Sequence, residues 1–218
     1  MNFDKSIVRL AIVFIGILLL SGFIPQWAMF MLTIACANGM AVLGLMLFLR
    51  AGLVSFGQAL FFCTGAYAAG LLALKFDITE MTVLIIVSGI ASGFMAYILG
   101  FLLAKYRGIF FGLLSLAFSM ILYGLLVKTE ALGSTDGFNV PAVTIFGWLP
   151  DLSVVRVAVL GMAFLIILLS VSFVNMLIKS PRGLLLTAIR DNEIRAEYMG
   201  ASAQKTIHLF YVISGVLA

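Results

Sequence analysis

The side chains able to do chemistry in this 218-residue chain are few and scattered. Its one histidine, His208, stands beside the last apolar run, and its two cysteines, Cys36 and Cys63, lie inside apolar runs. An imidazole with no Cys, Asp or Glu cluster around it makes no metal site, and cysteines in such company behave as small buried hydrophobes. The sequence contains no H-E-x-x-H, no G-x-S-x-G and no Walker A loop. No catalytic group, metal or cofactor is therefore expected in this chain, and it does not read as an enzyme. What the apolar runs do contain is neutral and polar. Asn38 and Gln58 are amides, and Gly108, Gly112, Ser115, Ser119 and Tyr123 recur at steps of three or four, which places them on one helix face. An amide in hydrocarbon is costly without a partner, so each either ties helices together or faces a hydrated path. The hydroxyl face has the same two readings, lining a cavity or bonding to a neighbouring helix.

These residues need elements to hold them, and composition says which. The chain is 64% hydrophobic and 10% charged, with a mean hydropathy of +1.24. A soluble domain is about 45–50% apolar and about 25% charged, and disorder requires low hydrophobicity with high charge, so both classes are excluded. The net charge of +4 would suit nucleic acid. In a membrane protein, however, a basic excess records Lys and Arg held in cytoplasmic loops, so the expected partner is the lipid bilayer and no nucleic acid.

A spanning helix needs about 20 mostly apolar residues. Six runs qualify, at 8–24, 27–49, 51–74, 81–104, 108–127 and 154–177, and a seventh begins near Ile207. Twelve residues from there to Ala218 cannot cross a bilayer, so the seventh is expected to be a truncated span. Lys5 and Arg9 precede the first run as in a signal peptide, but the run is long and Ser21 to Pro25 offers no cleavage site, which favours a retained helix. The expected fold is an all-α, polytopic transmembrane bundle of six full spans plus a truncated seventh, one domain over 1–218. With the N-terminus cytoplasmic, ten of the thirteen basic residues fall in inner loops, and Lys75, Lys128 and Arg156 fall outside. That bias supports the N-in topology.

Within the spans, Gly89, Gly93, Ala96 and Gly100 form a small-residue stripe suited to close helix packing. Gly52, Gly57, Gly65 and Gly70 permit an interrupted third helix. An outer loop over about 128–153 carries Gly133-Ser-Thr-Asp-Gly137, Pro141 and Pro150, which read as turn chemistry. An inner loop over 178–206 carries eight charged residues and is the main hydrophilic element. Ser180 and Pro181 there have the form of an N-cap and first helical residue, and Gly200 suits a helix stop. Asp191 and Arg195 stand four apart and can pair weakly. The segment between is either a solvated connecting helix or a docking helix that enters a groove on a soluble subunit.

The loop resembles permease subunits of ABC transporters for branched-chain amino acids, whose pattern here is S-P-x-G-R-x-L-x-A-I-R-D-N-E-x-x-A-x-x-x-G. Ser180, Pro181, Gly183, Leu186, Ala188, Ile189, Arg190, Asp191, Asn192, Glu193, Ala196 and Gly200 fall on it. Leu184 stands where that family has a basic residue. Three further stretches are similar in the same order. They are Asn38 to Leu72, with Gly52-Leu-Val-Ser-Phe-Gly-Gln-Ala-Leu-Phe-Phe and Gly65-Ala-Tyr67-Ala-Ala; Arg107-Gly-Ile-Phe-Phe-Gly; and Gly133-Ser-Thr-Asp-Gly. Arg50 and Gln58 occupy places where the family commonly has a small or aromatic residue and a His.

The resemblance implies an ATP-driven importer for branched-chain amino acids, or for urea, short amides or aromatic acids as in related permeases. It implies as partners a second permease subunit, two ATP-binding subunits and an extracytoplasmic solute-binding protein. ATP and Mg2+ would reside in the partner ATPase, coupled through 180–200. It assigns ATPase coupling to Ser180, Pro181, Gly183, Ala188, Arg190, Asp191, Asn192, Glu193, Ala196 and Gly200. The expected translocation pathway runs past Asn38, Gln58, Tyr67, Ser115, Ser119 and Tyr123. The competing expectation is an ion-coupled secondary transporter or channel, which the near absence of ionisable groups inside the spans disfavours.

Overall fold

The computed structural model describes residues 5–19, 24–134, 137–145 and 152–218, and the secondary structure among them is helical. In chain order the helices are α1 (Lys5–Leu19), α2 (Gln26–Arg50), α3 (Gln58–Phe76), α4 (Met81–Leu103), α5 (Gly108–Lys128), α6 (Leu152–Lys179), α7 (Pro181–Asp191), α8 (Glu193–Tyr198) and α9 (Ala203–Leu217). Among the described residues, five helices are long and apolar enough to cross a membrane, namely α2 to α6. The apolar part of α1 is shorter, Ile7–Ile17, and the rest of the expected first span, including the Ser21 to Phe23 stretch, lies outside the described residues.

Two sets of contacts mark opposite ends of the bundle. At one end the α4–α5 corner meets α8 through Arg107 and Glu193, and Gly52 meets Arg190 of α7. At the other, Glu80 pairs with Thr144 in a short parallel bridge, and Arg156 donates to the Gln26 carboxamide. Met81 N–H donates to the Thr144 carbonyl (3.0 Å) and Thr144 N–H to the Thr79 carbonyl (2.9 Å), so residues 137–145 are tied across the start of α4.

Among the described apolar helices, α9 is the most enclosed although it has only 15 residues. Ile207, Phe210, Tyr211, Ser214 and Leu217 of α9 are all buried, at steps of three or four that turn one stripe inward. The Tyr211 ring lies 5.5 Å from Phe48 of α2, 5.2 Å from Phe61 of α3 and 5.9 Å from Phe111 of α5. One aromatic side chain therefore joins four helices. The other face of α9 lies on α4, along the stripe read from the sequence. A Cβ on Gly93 would stand 2.6 Å from Val216 Cγ2, one on Gly100 2.7 Å from His208 Nδ1, and one on Gly215 would overlap Ala96 Cβ. Small residues on both helices let the backbones approach, which is how helices pack where apolar burial alone gives no preference. Helix α1 stands apart from this core and rests on α6 through the stacked rings of Phe14 and Phe164, 4.3 Å apart.

The expected third span, 51–74, begins late. Residues 51–57 are not helical: Ala51 and Gly52 form a turn, residues 53–57 have no regular structure, and α3 starts at Gln58. Burial alternates along the non-helical stretch: Ala51, Leu53, Ser55 and Gly57 are buried, while Gly52, Val54 and Phe56 are exposed. Gly52 has φ +72, a left-handed conformation that glycine adopts without strain, and it turns the chain out of α2. The freed backbone groups find partners inside the protein. Phe56 N–H donates to Ser115 Oγ (3.0 Å), Gly57 N–H to Ser55 Oγ (3.2 Å), and Leu53 N–H to the Phe48 carbonyl (3.0 Å). That is the condition under which non-helical backbone is tolerated at membrane depth.

Candidate functional site

The 180–200 element is built from its caps inward. Ser180 Oγ accepts from Gly183 N–H (3.3 Å) and Pro181 occupies the first helical position of α7. Gly183 sits so closely against the end of α6 that an added Cβ would overlap the Leu177 carbonyl oxygen. Gly183, Leu186 and Ile189 form the buried stripe of α7, and Ala196 continues it on α8.

The segment expected to be one helix is two. Asn192 leaves helical geometry (φ −161, ψ 100), and its Oδ1 accepts from Arg195 N–H (2.9 Å), ending α7 and capping α8. A short amide side chain competes with helix continuation by bonding its own backbone, which supplies the physical reason for the break. Gly200 (φ +87) closes α8 as read from the sequence: its N–H donates to the Glu197 carbonyl (2.9 Å) and Ala201 N–H to the Ala196 carbonyl (3.1 Å). Those two bonds make a Schellman motif. Asp191, expected to pair with Arg195, faces its neighbour Arg190 instead, at 3.3 Å and in solvent.

Two contacts hold this element against the bundle. Glu193 accepts from Arg107 Nε and Nη2, the shortest contact being 2.7 Å, with both side chains about one-third exposed. Arg107 Nη1 also donates to the carbonyls of Ala104 (2.6 Å), the C-cap of α4, and Tyr106 (3.0 Å) in the link to α5. The second contact is the Arg190 stem, whose Cγ would lie 2.7 Å from a Cβ on Gly52. The outward side combines charge with exposed apolar groups: Leu184, Ile194, Tyr198 and Met199 stand beside Arg182, Asp191, Arg195 and Glu197. Pro181, Ala188, Arg190, Asn192 and Gly200 are exposed as well. The ten residues assigned to coupling thus fall into an exposed group and an inward group made of Gly183, Glu193 and Ala196, with the Ser180 cap between.

The six residues of the expected pathway do not converge. Gln58 and Ser115 flank the non-helical stretch: Gln58 Nε2 donates to Ser214 Oγ (2.7 Å), and Ser115, fully buried, accepts from Phe56 N–H and donates to the Gly112 carbonyl (2.7 Å). Ser119 Oγ donates to the Ser115 carbonyl (3.0 Å). Tyr67 stands edge-on to Phe138, ring centres 5.5 Å apart. Asn38 and Tyr123 are exposed on the outsides of α2 and α5. The upper part of the hydroxyl face on α5 therefore bonds to a neighbouring segment. Ser55 and Ser214 join this polar cluster without having been expected, although Ser214 lies on the same stripe as Ile207 and Tyr211. Ser115 lies seven residues into α5 and Ser214 eleven into α9, about 10 and 16 Å along those helices from their first residues.

An apolar cleft of about 370 Å³ opens between α2, α3, α4 and α6, lined by Cys36, Met40, Ala69, Leu84 and Met162 among others, with Val143 at its mouth. Cys36 and Cys63 are free thiols. Among the described residues, no three His, Cys, Asp or Glu side chains are grouped to hold a metal ion. The Gly133–Gly137 turn is closed by Gly137 N–H donating to the Gly133 carbonyl (2.9 Å), while Thr135, Asp136 and Pro150 lie outside the described residues.

Comparison with known proteins adds an independent observation. The family model described as branched-chain amino acid transport system / permease component matches residues 10–218. The high-affinity branched-chain amino acid transport system permease protein LivM of Escherichia coli (strain K12) is 27% identical over 193 residues, 77% of this chain and 44% of the relative. LivM of Salmonella typhimurium is 27% identical over 189 residues with the same two shares. The chain thus spans less than half the length of the curated relatives it matches. No solved structure gives a significant match.

Proposed function

We propose a function from this premise: the chain belongs to the family of branched-chain amino acid transport system permease components and is a multi-pass inner-membrane protein. On our reading it is a membrane-spanning permease subunit of an ATP-driven importer, with its N-terminus in the cytoplasm. The solute is a branched-chain amino acid, the class named for both relatives. ATP and Mg2+ are bound by a separate ATPase pair. A second permease subunit completes the pathway, and an extracytoplasmic binding protein delivers the solute.

The 180–200 element carries this reading. A solvated connector has no need of three caps, a buried stripe and an outward face with four exposed apolar side chains. A docking element needs all three, because its contact face must be presented rigidly to a partner. Nucleotide-dependent contacts on that face would bias the inward–outward equilibrium, since a partner shifts a conformational equilibrium only by its differential affinity for the two states.

The test is to express the chain with the ATPase and binding-protein genes beside it, purify it through a tag, and reconstitute it in lipid vesicles. Retention of an ATPase subunit, and ATP-dependent accumulation of radiolabelled leucine, isoleucine or valine, are expected. Tyr198→Asp or Met199→Asp should strip the ATPase from the permease while leaving it in the membrane. Accumulation driven by an ion gradient without ATP would overturn the reading.

A further inference from the structure

We infer that Arg107 and Glu193 form a latch that transmits movement of the 180–200 element to the non-helical stretch 51–57, the break between α2 and α3. The inference rests on the coupling role proposed above and gives Arg107, which that role did not include, a positioning part in it.

The first observation is where Arg107 stands. It is the N-cap residue of α5, in extended conformation, at the positive end of that helix dipole. A cation there is unfavourable, and its side chain cannot accept the orphan N–H groups that a Ser, Asp or Asn would. The residue is accounted for by what it bridges: the Ala104 carbonyl at the C-cap of α4 and the Tyr106 carbonyl in the link to α5 on one side, and both carboxylate oxygens of Glu193 on the other. Carbonyls at the C-terminal end of α4 favour a cation, and a carboxylate in the first turn of α8 is likewise on the favourable side of its helix. Ordinary surface ion pairs contribute little, but forked geometry with partial burial defines the exceptions.

The second observation is on the other short helix of the same element, α7. Arg190, three residues before Glu193, lays its stem on Gly52, in the turn that starts the non-helical stretch. With α8 pinned to the α4–α5 corner, a tilt of the 180–200 element cannot slide past the bundle. It presses on Gly52, and the stretch beyond it is bonded through Phe56 N–H to Ser115 of α5. The contacts at Gly52 and Phe56 thus grip one short non-helical segment from both ends.

Two measurements test this separately. In the full-length chain alone, in lipid nanodiscs, backbone hydrogen exchange at residues 194–199 is followed in Arg107→Ala, Glu193→Gln and the double variant. Each single change should speed exchange about tenfold, with the double no faster than either, because the two groups act as one unit. Unchanged exchange in the singles, or additive effects in the double, overturns the latch. In the complex with its ATPase, a Val54→Cys reporter in the exposed part of the stretch is labelled with a maleimide, nucleotide-free and after trapping with ATP and vanadate. A nucleotide-dependent labelling rate is expected in the reporter parent, lost in Glu193→Gln while the ATPase subunits still copurify. If that dependence persists in Glu193→Gln, or is missing in the parent that holds its ATPase, transmission is wrong. If the parent holds no ATPase, the proposed function fails and takes transmission with it, while the exchange experiment still decides the latch.

Discussion

The α4–α9 pair and the 180–200 element are both close contacts, yet they are specified by opposite means. Along α4 and α9 the contact is made by what is missing: Gly93, Gly100 and Gly215 leave room for Val216, His208 and Ala96. Around 180–200 it is made by what is added: the Ser180 and Asn192 caps, the Schellman turn and the forked pair of Arg107 and Glu193. The difference follows from the surroundings. Inside a bundle in lipid, shape decides which helices meet, because lipid is as apolar as the helices. At an aqueous end, a short helix of six or eleven residues is marginal alone and needs its end groups satisfied.

The largest expected effect tests the steric half. Gly215→Leu places a side chain where a Cβ alone would overlap Ala96 Cβ and stand 3.2 Å from the Ser92 carbonyl. Overpacking of this kind should cost about 3 kcal/mol or more. Gly124→Leu on α5, where no heavy atom lies within 4 Å of an added Cβ, should cost nothing sterically and gains helix propensity. Thermal unfolding in detergent, followed by circular dichroism, separates the two; equal midpoints would remove the basis for the comparison.

Gly183→Ala asks whether the capped end is also steric. The added methyl would overlap the carbonyl oxygen of Leu177 and stand 2.5 Å from that of Ile178, and backbone cannot rotate away. A loss of about 2–3 kcal/mol is expected, by forcing α7 off the end of α6. Protease cleavage after Arg182 and Arg190 should accelerate while the membrane-embedded core stays protected. Slower or unchanged cleavage would show that the corner has slack.

Gly52→Ala is smaller and sharper. At φ +72 an alanine costs about 1–2 kcal/mol for left-handed backbone, a cost that stays when the Arg190 stem beside it is removed. Gly52→Ala combined with Arg190→Ala should therefore recover little stability over Gly52→Ala alone. Full recovery in that double variant would instead trace the loss to the Arg190 contact and clear the backbone of it.

Much of this was legible in the sequence, and the gaps have physical causes. Ser180-Pro181, Gly200 and the Gly89 to Gly100 stripe could be read because capping, left-handed closure and close packing each need particular residue types at fixed spacing. The late start of α3 was visible only as glycine content, since an apolar run of 24 residues reads alike whether its first turn is helical or not. Arg107 and Glu193 lie 86 residues apart, and no local pattern announces a partner at that range. Asn38 and Tyr123 were weighed by polarity alone; polarity does not say which way a helix is turned, and both stand on outer faces. Tyr211 shows the converse: one ring unites α2, α3, α5 and α9 through contacts that spacing within α9 cannot reveal.

Asn192→Ala carries the smallest expected energy and bears most directly on the contrast between shape and end groups. The change removes the Oδ1 acceptor for Arg195 N–H, worth about 1 kcal/mol as a helix cap. It also installs the best helix former at the one residue that separates α7 from α8. If end groups set the architecture here, the two helices should merge across 181–198, and the register of the second would turn by about 100° per residue gained, carrying Glu193 away from Arg107. Hydrogen exchange would then slow at residue 192 and its neighbours, while ATPase-coupled labelling in the 51–57 stretch weakens. Should the break persist with alanine in place, it is the packing of Ile189 and Ala196 against the bundle, and not the asparagine, that bends the chain, and the capped end would obey the same steric rule as α4 and α9.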